Sequence, residues 1–330
     1  MVICKPCFAF EALSAISIRN AANAGKIRSC IPLVKERMDE YFSGMEIYAS
    51  NHYFNLLSAH FSFEEIEKLD LVGFNKVFPE CLKGENYDKL YLDCLKILNN
   101  MDFTALWDKH IMPFLQEQCA AYNALFKDAK TTSVFSDVQR IKPNEEIGDV
   151  TIYLTYFSFP ISFRLSDRCY LTSHAGTNGI NANDILSTFA HELIHGFSNE
   201  ALRGKYLQAI ENDMFLAKTK DVLFYKVGSP SAEEEFVVAL EYFISYKNGL
   251  FTKDELYGHI FNHYNHCMPL AVIVFDELVK YGKIPADVNT WILKLFEDGV
   301  IRNGGIEGRV NQILPGYSNK FKEVWVDKLS

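Results

Sequence analysis

Positive charge in excess is the first thing missing: 33 Lys and Arg against 42 Asp and Glu leave a formal net charge of -9. A nucleic-acid surface needs clustered cations to neutralise phosphates, so no nucleic-acid partner is expected. Long apolar runs are missing too. No segment approaches the roughly eighteen apolar residues of a membrane span, and no membrane association is expected. Cysteine is sparse and scattered, with eight in 330 residues, and a chain of this size does not depend on disulfide staples. The thiols are therefore expected to be reduced. Cys4-Lys5-Pro6-Cys7 has C-x-x-C spacing, but no strand is evident leading into it and no second pair follows, so it reads as structural. Lys5 and Glu11 interrupt the N-terminal apolar stretch and no small-residue cleavage site is evident, which makes a cytoplasmic address the expectation. Internal repeats and low-complexity linkers are also absent, which favours two lobes sharing a surface over separated beads.

What is present is enough apolar material, 48% of residues, to fill a sizeable core. From Phe8 to about Lys130 the apolar spacing is helical almost throughout, with Ser62-Phe63-Glu64-Glu65 reading as a capping box and Thr104 to Lys127 as one long helix. The first 141 residues thus form a helical N-terminal region. The character changes at Lys142-Pro143. Asp149 to Phe157 alternates like a half-buried strand, and Ile161-Leu165 and Cys169-Thr172 follow as short strands, so a small antiparallel sheet is expected. A loop from Ser173 to Gly179 then delivers the chain to a helix, and further helices fill the remainder. The overall class is α+β and mostly helical, divided at residues 1–141 and 142–330.

The chemistry concentrates in the helix after that loop, which contains His191-Glu192-Leu193-Ile194-His195. Ile185, Leu186, Phe189, Leu193, Ile194 and Phe197 recur at helical spacing, with Asn181 or Asn183 as the expected cap, Asp184 in the first turn and Gly196 after the second histidine. Residues four apart share a helix face, so both imidazoles point the same way and can hold one metal ion. Glu192, one step round, suits a general base acting on water activated by that ion. The bland alternative is a helix whose histidines are satisfied by neighbours.

Catalytic zinc takes three protein ligands and leaves a position for water. A third histidine six residues past His195 is ruled out by Ala201, and no Gly-Thr-x-Asp segment supplies an aspartate. The acid-rich start of the helix beginning at Ser231 is the remaining source. A capping box between Ser231 and Glu234 would instead occupy that glutamate with backbone amides.

With these residues in hand, the sequence resembles the gluzincin metallopeptidases, which pair His-Glu-x-x-His with a glutamate on a later helix. The run Glu234-Glu235-Phe236-Val237-Val238-Ala239-Leu240-Glu241-Tyr242-Phe243 is similar to the glutamate helix of the Mlc titration factor A and anthrax lethal factor type peptidases. The resemblance implies a zincin-like catalytic core over 142–330 with a helical C-terminal lobe, and Zn2+ held by His191, His195 and Glu234. It also implies Glu241 as a supporting acid, Glu192 as general base and a peptide or protein substrate paired with an edge strand from the Asp149–Thr172 region. Val237 stands where those families have a small residue, which leaves Glu235 as the alternative ligand. A donor for the developing oxyanion is expected from Tyr257, His259, His263, Tyr264, His266 or Tyr317. The expected activity is zinc-dependent peptide hydrolysis. The alternative is an inactive zincin-like protein, or an all-helical binding module without metal. Oligomeric state is not legible.

Overall fold

The computed structural model describes residues 2–17, 31–42, 52–85, 88–145, 147–157, 162–165, 170–174, 182–227, 233–263 and 266–329. The chain is mostly helical and carries one four-stranded sheet. It divides into two compact units, residues 1–128 with 147–182, and residues 129–146 with 183–330. Among the described residues no helix is long and apolar enough to cross a membrane.

The first unit is built round the sheet. Its strands are β1 (Val2–Pro6), β2 (Val150–Thr155), β3 (Ser162–Arg164) and β4 (Tyr170–His174), in the spatial order β1-β2-β4-β3. β1 pairs with β2 and β2 with β4 in parallel, and only β3 runs antiparallel, against β4. The expected antiparallel sheet is thus corrected to a mainly parallel one. Two physical reasons account for the difference. β3 runs against β4, with the Leu165 amide donating to the Tyr170 carbonyl, and it is β4 rather than β3 that lies beside β2, so the strand reversed twice along the chain is the one that pairs with β2 and the pairing is parallel. β1 is the strand that the sequence reading missed, and it carries Cys4 of the C-x-x-C.

β2 is buried on both faces, as a central parallel strand must be. Ile152 and Leu154 are fully buried, but so are Tyr153 and Thr155 on the opposite face. Phe10, from the helix Phe8–Ser17, lies 4.8 Å from the Tyr153 ring. The outer edge of β1 is closed by one side chain. The Cys4 amide donates to Asn123 Oδ1 at 2.7 Å, and Asn123 Nδ2 donates to the Cys4 carbonyl at 2.8 Å, so the amide group imitates a neighbouring strand. Cys4 and Cys7 are buried free thiols, and Cys4 Sγ lies 3.4 Å from Cys119 Sγ. Cys30 and Cys169 lie outside the described residues.

Two local expectations hold closely. Ser62 and Glu65 form the reciprocal capping box. The long helix runs from Phe103 to Leu125, interrupted by a π turn at Trp107–Ile111. Pro113 explains the interruption, since it has no amide to donate to the preceding turn and the ladder must widen there.

The second unit has only helices among its described residues. Its centre is the helix Glu234–Lys247, in which every residue from Glu235 to Ser245 is buried. A helix apolar on nearly all sides belongs in the middle of a bundle. It packs on Pro269–Tyr281, which in turn carries Ile306–Ile313. Its C-terminal end is fixed by buried Asp137, which accepts from Lys247 Nζ at 2.7 and 2.8 Å and from Asn248 Nδ2 at 2.9 Å. The stretch Leu202–Tyr225 forms two helices, Glu200–Asn212 and Met214–Val227, divided at Asp213, whose carboxylate accepts from the Leu216 and Gly304 amides.

Candidate metal centre

The motif helix spans Ala182–Ile194, with Asp184 in its first turn as expected. Asn183 is not the cap: it lies inside the helix, where its side chain donates to the Leu250 carbonyl at 2.8 Å. Asn181 lies outside the described residues. At the C-terminal end Gly196 adopts φ +83, a left-handed conformation that favours glycine. The His195 carbonyl left over at this end accepts from buried Lys142 Nζ at 2.8 Å, placing a cation at the negative pole of the helix.

Positions four apart on this helix meet a second ladder on Glu234–Lys247. Ser187 meets Glu241 and Ser245, His191 meets Glu241 and Glu234, and His195 meets Glu234 and Glu233. As one set of numbers rises the other falls, so the two helices run antiparallel with their polar stripes facing. The two Nε2 atoms are 3.2 Å apart. Glu234 Oε1 lies 3.4 Å from His191 Nε2, and Glu234 Oε2 lies 3.5 Å from His195 Nε2. His191, His195 and Glu234 are a group that could hold a metal ion.

The far side of each imidazole faces another carboxylate. His191 Nδ1 is 2.9 Å from Glu241 Oε2, and Glu241 Oε1 accepts from Ser187 Oγ at 2.7 Å. His195 Nδ1 is 3.3 Å from Glu233 Oε1, which also accepts from the Gly196 amide at 2.6 Å, while Glu233 Oε2 accepts from the Ser198 amide and hydroxyl. A carboxylate against Nδ1 calls for a proton on Nδ1 and leaves the Nε2 lone pair bare. Two bare nitrogens and a carboxylate then converge on one point. Without a cation, electrostatics favours a proton there: burial alone would lower the His191 pKa, yet Glu234 and Glu241 outweigh burial and raise it well above its ordinary value. Glu234 shows the converse, its pKa lowered against burial by His191 and His195. Glu233 is driven to about 2 despite burial by the hydrogen bonds from His195, Gly196 and Ser198.

Glu235, the alternative ligand, turns the other way. It is fully buried, and its Oε2 accepts from the Leu270 amide at 2.6 Å, at the start of Pro269–Tyr281. Its Oε1 accepts from Tyr206 at 3.3 Å and lies 3.5 Å from Lys220 Nζ. The capping-box alternative for Glu234 also lacks support. Glu233 holds the N-cap position with no side-chain cap bond, Glu234 faces the imidazoles, and Ser231 lies outside the described residues.

Glu192 is half-buried beside His191. Of the oxyanion-donor candidates, Tyr257 donates to Asp276 at 2.9 Å, His259 is exposed with its ring 5.4 Å from Phe251, and Tyr317 accepts from the Met268 amide at 2.9 Å. His266 is buried at φ +63 with its ring 5.7 Å from Tyr317. Tyr264 and the His263 side chain lie outside the described residues, as do residues 175–181.

Sequence reasoning missed Glu233, Ser187, Ser198, Ser245 and Lys142. Glu233 sits one place before the helix, where no periodicity announces a role. Ser187 and Ser245 were findable: they are one turn from His191 and Glu241 on the same stripes. Comparison with family models, curated proteins and solved structures finds no match for this chain.

Proposed function

We propose that this protein is a zinc-dependent metallopeptidase of the gluzincin type, with His191, His195 and Glu234 as metal ligands and Glu192 as general base. The observation that supports it most is metrical. Ligand atoms about 2.05 Å from a tetrahedral zinc stand about 3.3 Å apart. His191 Nε2 and His195 Nε2 are 3.2 Å apart, and the Glu234 carboxylate lies across both, Oε1 3.4 Å from the first and Oε2 3.5 Å from the second, so the three side chains bring donor atoms together at about that spacing. Two neutral imidazoles and a carboxylate also form the donor set of a catalytic rather than a structural zinc site.

Zinc bound there would acidify a water molecule and polarise a peptide carbonyl. The chain's own residues do the rest. Glu192, one position along the helix from a ligand, takes the proton from the water and passes it to the leaving amine. Glu233 and Glu241 keep the imidazoles oriented. Peptide is the substrate class we favour, because the motif and the glutamate helix resemble those of the gluzincin metallopeptidases.

The test is the variant Glu192→Gln. Purified wild-type protein is expected to hold about one zinc per chain and to cleave an unbiased peptide library. The variant should keep its zinc and lose cleavage by at least two orders of magnitude, the usual span of general-base catalysis. Undiminished turnover in the variant, or no zinc in the wild type after supplementation, would overturn the reading.

A further inference from the structure

We propose that Glu233 is a positioning residue that sets the tautomer and ring orientation of His195 and, through the same carboxylate, fastens the start of the glutamate helix to the end of the motif helix. Its importance for catalysis rests on the metallopeptidase reading above. Its structural content does not.

The argument starts from where Glu233 sits. It holds the N-cap position of Glu234–Lys247, where a side chain ordinarily turns back to satisfy its own helix. Glu233 makes no such bond. Its carboxylate reaches out to the turn that follows His195 and collects the His195 ring nitrogen, the Gly196 amide, the Ser198 amide and the Ser198 hydroxyl. The left-handed Gly196 sits between the ring and the Ser198 contacts, within the turn that presents these donors to one acceptor. Every donor is supplied by the segment 195–198, and the acceptor is adjacent in sequence to the ligand Glu234.

Two consequences follow. With Glu233 against Nδ1, the proton of His195 belongs on Nδ1 and its Nε2 is free to bind metal. Because one carboxylate holds both the ring and the turn, the relative placement of His195 and Glu234 is fixed by a single group. Glu241 does the corresponding work for His191, but it is anchored through Ser187, within the helices, and does not touch the turn. Glu233 therefore joins ligand orientation to helix docking, whereas Glu241 serves orientation alone.

The experiment uses the full chain with nitrogen-15 in its imidazoles, studied by two-bond proton–nitrogen correlation with and without zinc, alongside zinc affinity by chelator competition and the visible spectrum of the Co2+-loaded protein. In the wild type His195 is expected to carry its proton on Nδ1. Glu233→Gln should lose that tautomer's dominance, weaken zinc about 10- to 100-fold, the usual cost of losing a carboxylate behind a ligating histidine, and shift the cobalt bands. Ser198→Ala removes one hydroxyl contact with the turn and leaves the ring contact, so its zinc affinity should stay within about threefold of wild type, far less than the loss expected from removing the carboxylate. A His195 proton on Nε2 in the wild type overturns the proposal whatever the variants do. So does a Glu233→Gln protein with wild-type affinity and unchanged cobalt bands, or a Ser198→Ala protein as impaired as Glu233→Gln, which would reduce Glu233 to a structural latch. If the wild-type chain takes up no zinc, the metallopeptidase reading fails, and the tautomer measurement on the metal-free protein still decides the role of Glu233.

Discussion

Glu234 and Glu235 are neighbours in the chain with opposite surroundings: the first faces His191 and His195, the second is sealed in the core against the Leu270 amide and Lys220. One step round a helix is about 100°, enough to separate a ligand from an anchor. Their substitution should therefore separate metal binding from stability. Glu234→Gln is expected to lose zinc with a small change in the unfolding of the metal-free protein. Glu235→Ala strands the Leu270 amide and the Lys220 ammonium, and breaking such a buried charged network costs about 3–5 kcal/mol. Parallel urea titrations and zinc analysis of the two variants check this. Zinc lost from a stable Glu235→Ala protein, or retained by Glu234→Gln, would reverse the assignment.

The convergence of two nitrogens and a carboxylate predicts that zinc stabilises the second unit. A ligand at a hundred times its Kd adds about 2.7 kcal/mol, and for a unit of this size that raises Tm by about 5–10 °C. Differential scanning calorimetry with zinc and with a chelator should show this shift in one transition. The shift should vanish in His195→Ala. Equal melting with and without zinc in the wild type would mean that the cluster does not bind it.

The metal centre was legible in the sequence to the extent that it lies on regular helices. His191 and His195 are four apart, Glu241 is seven from Glu234, and both relations survive folding because helix geometry fixes them. Which of two adjacent glutamates turns to the histidines depends on the docking angle of two helices, and no local pattern encodes that. Glu233 escaped for the same reason, one place outside the helix. The sheet was misread because the alternation of Thr151, Tyr153 and Thr155 resembles a solvated face, whereas packing from both sides buries Tyr153 and Thr155 as completely as Ile152. β1 was missed because its partner β2 lies about 150 residues away, and pairing at that separation leaves no local trace.

Gly196 offers a test of the turn behind His195. Its φ of +83 is strained for any residue with a Cβ, although a Cβ there meets only Lys142 Nζ, at the ordinary contact distance of 3.8 Å. Gly196→Ala should thus cost conformational strain without a clash, about 1–2 kcal/mol. Chemical denaturation would register it as a lower midpoint with an unchanged m-value. A neutral substitution would show that the turn does not hold this conformation in solution.

Glu11 predicts a pH dependence in the first unit. Its side chain is fully buried and Oε2 accepts from the Tyr156 amide at 2.8 Å, but Oε1 has no hydrogen-bond partner among the described residues. Burial raises its pKa from 4.5 to about 8, against the opposing effect of the Tyr156 and Phe157 amides. An acid whose pKa is raised on folding binds its proton more tightly in the folded state, so stability is greatest below the unfolded value and is lost as pH rises towards the folded one. Between about pH 5 and pH 8 the loss should approach 1.4 kcal/mol per unit, on the order of 4 kcal/mol in all. Glu11→Gln retains an oxygen for the Tyr156 amide and cannot ionise. Urea unfolding of both proteins across this range should show a falling stability in the wild type and a much flatter profile in the variant; parallel profiles would place the pH dependence elsewhere.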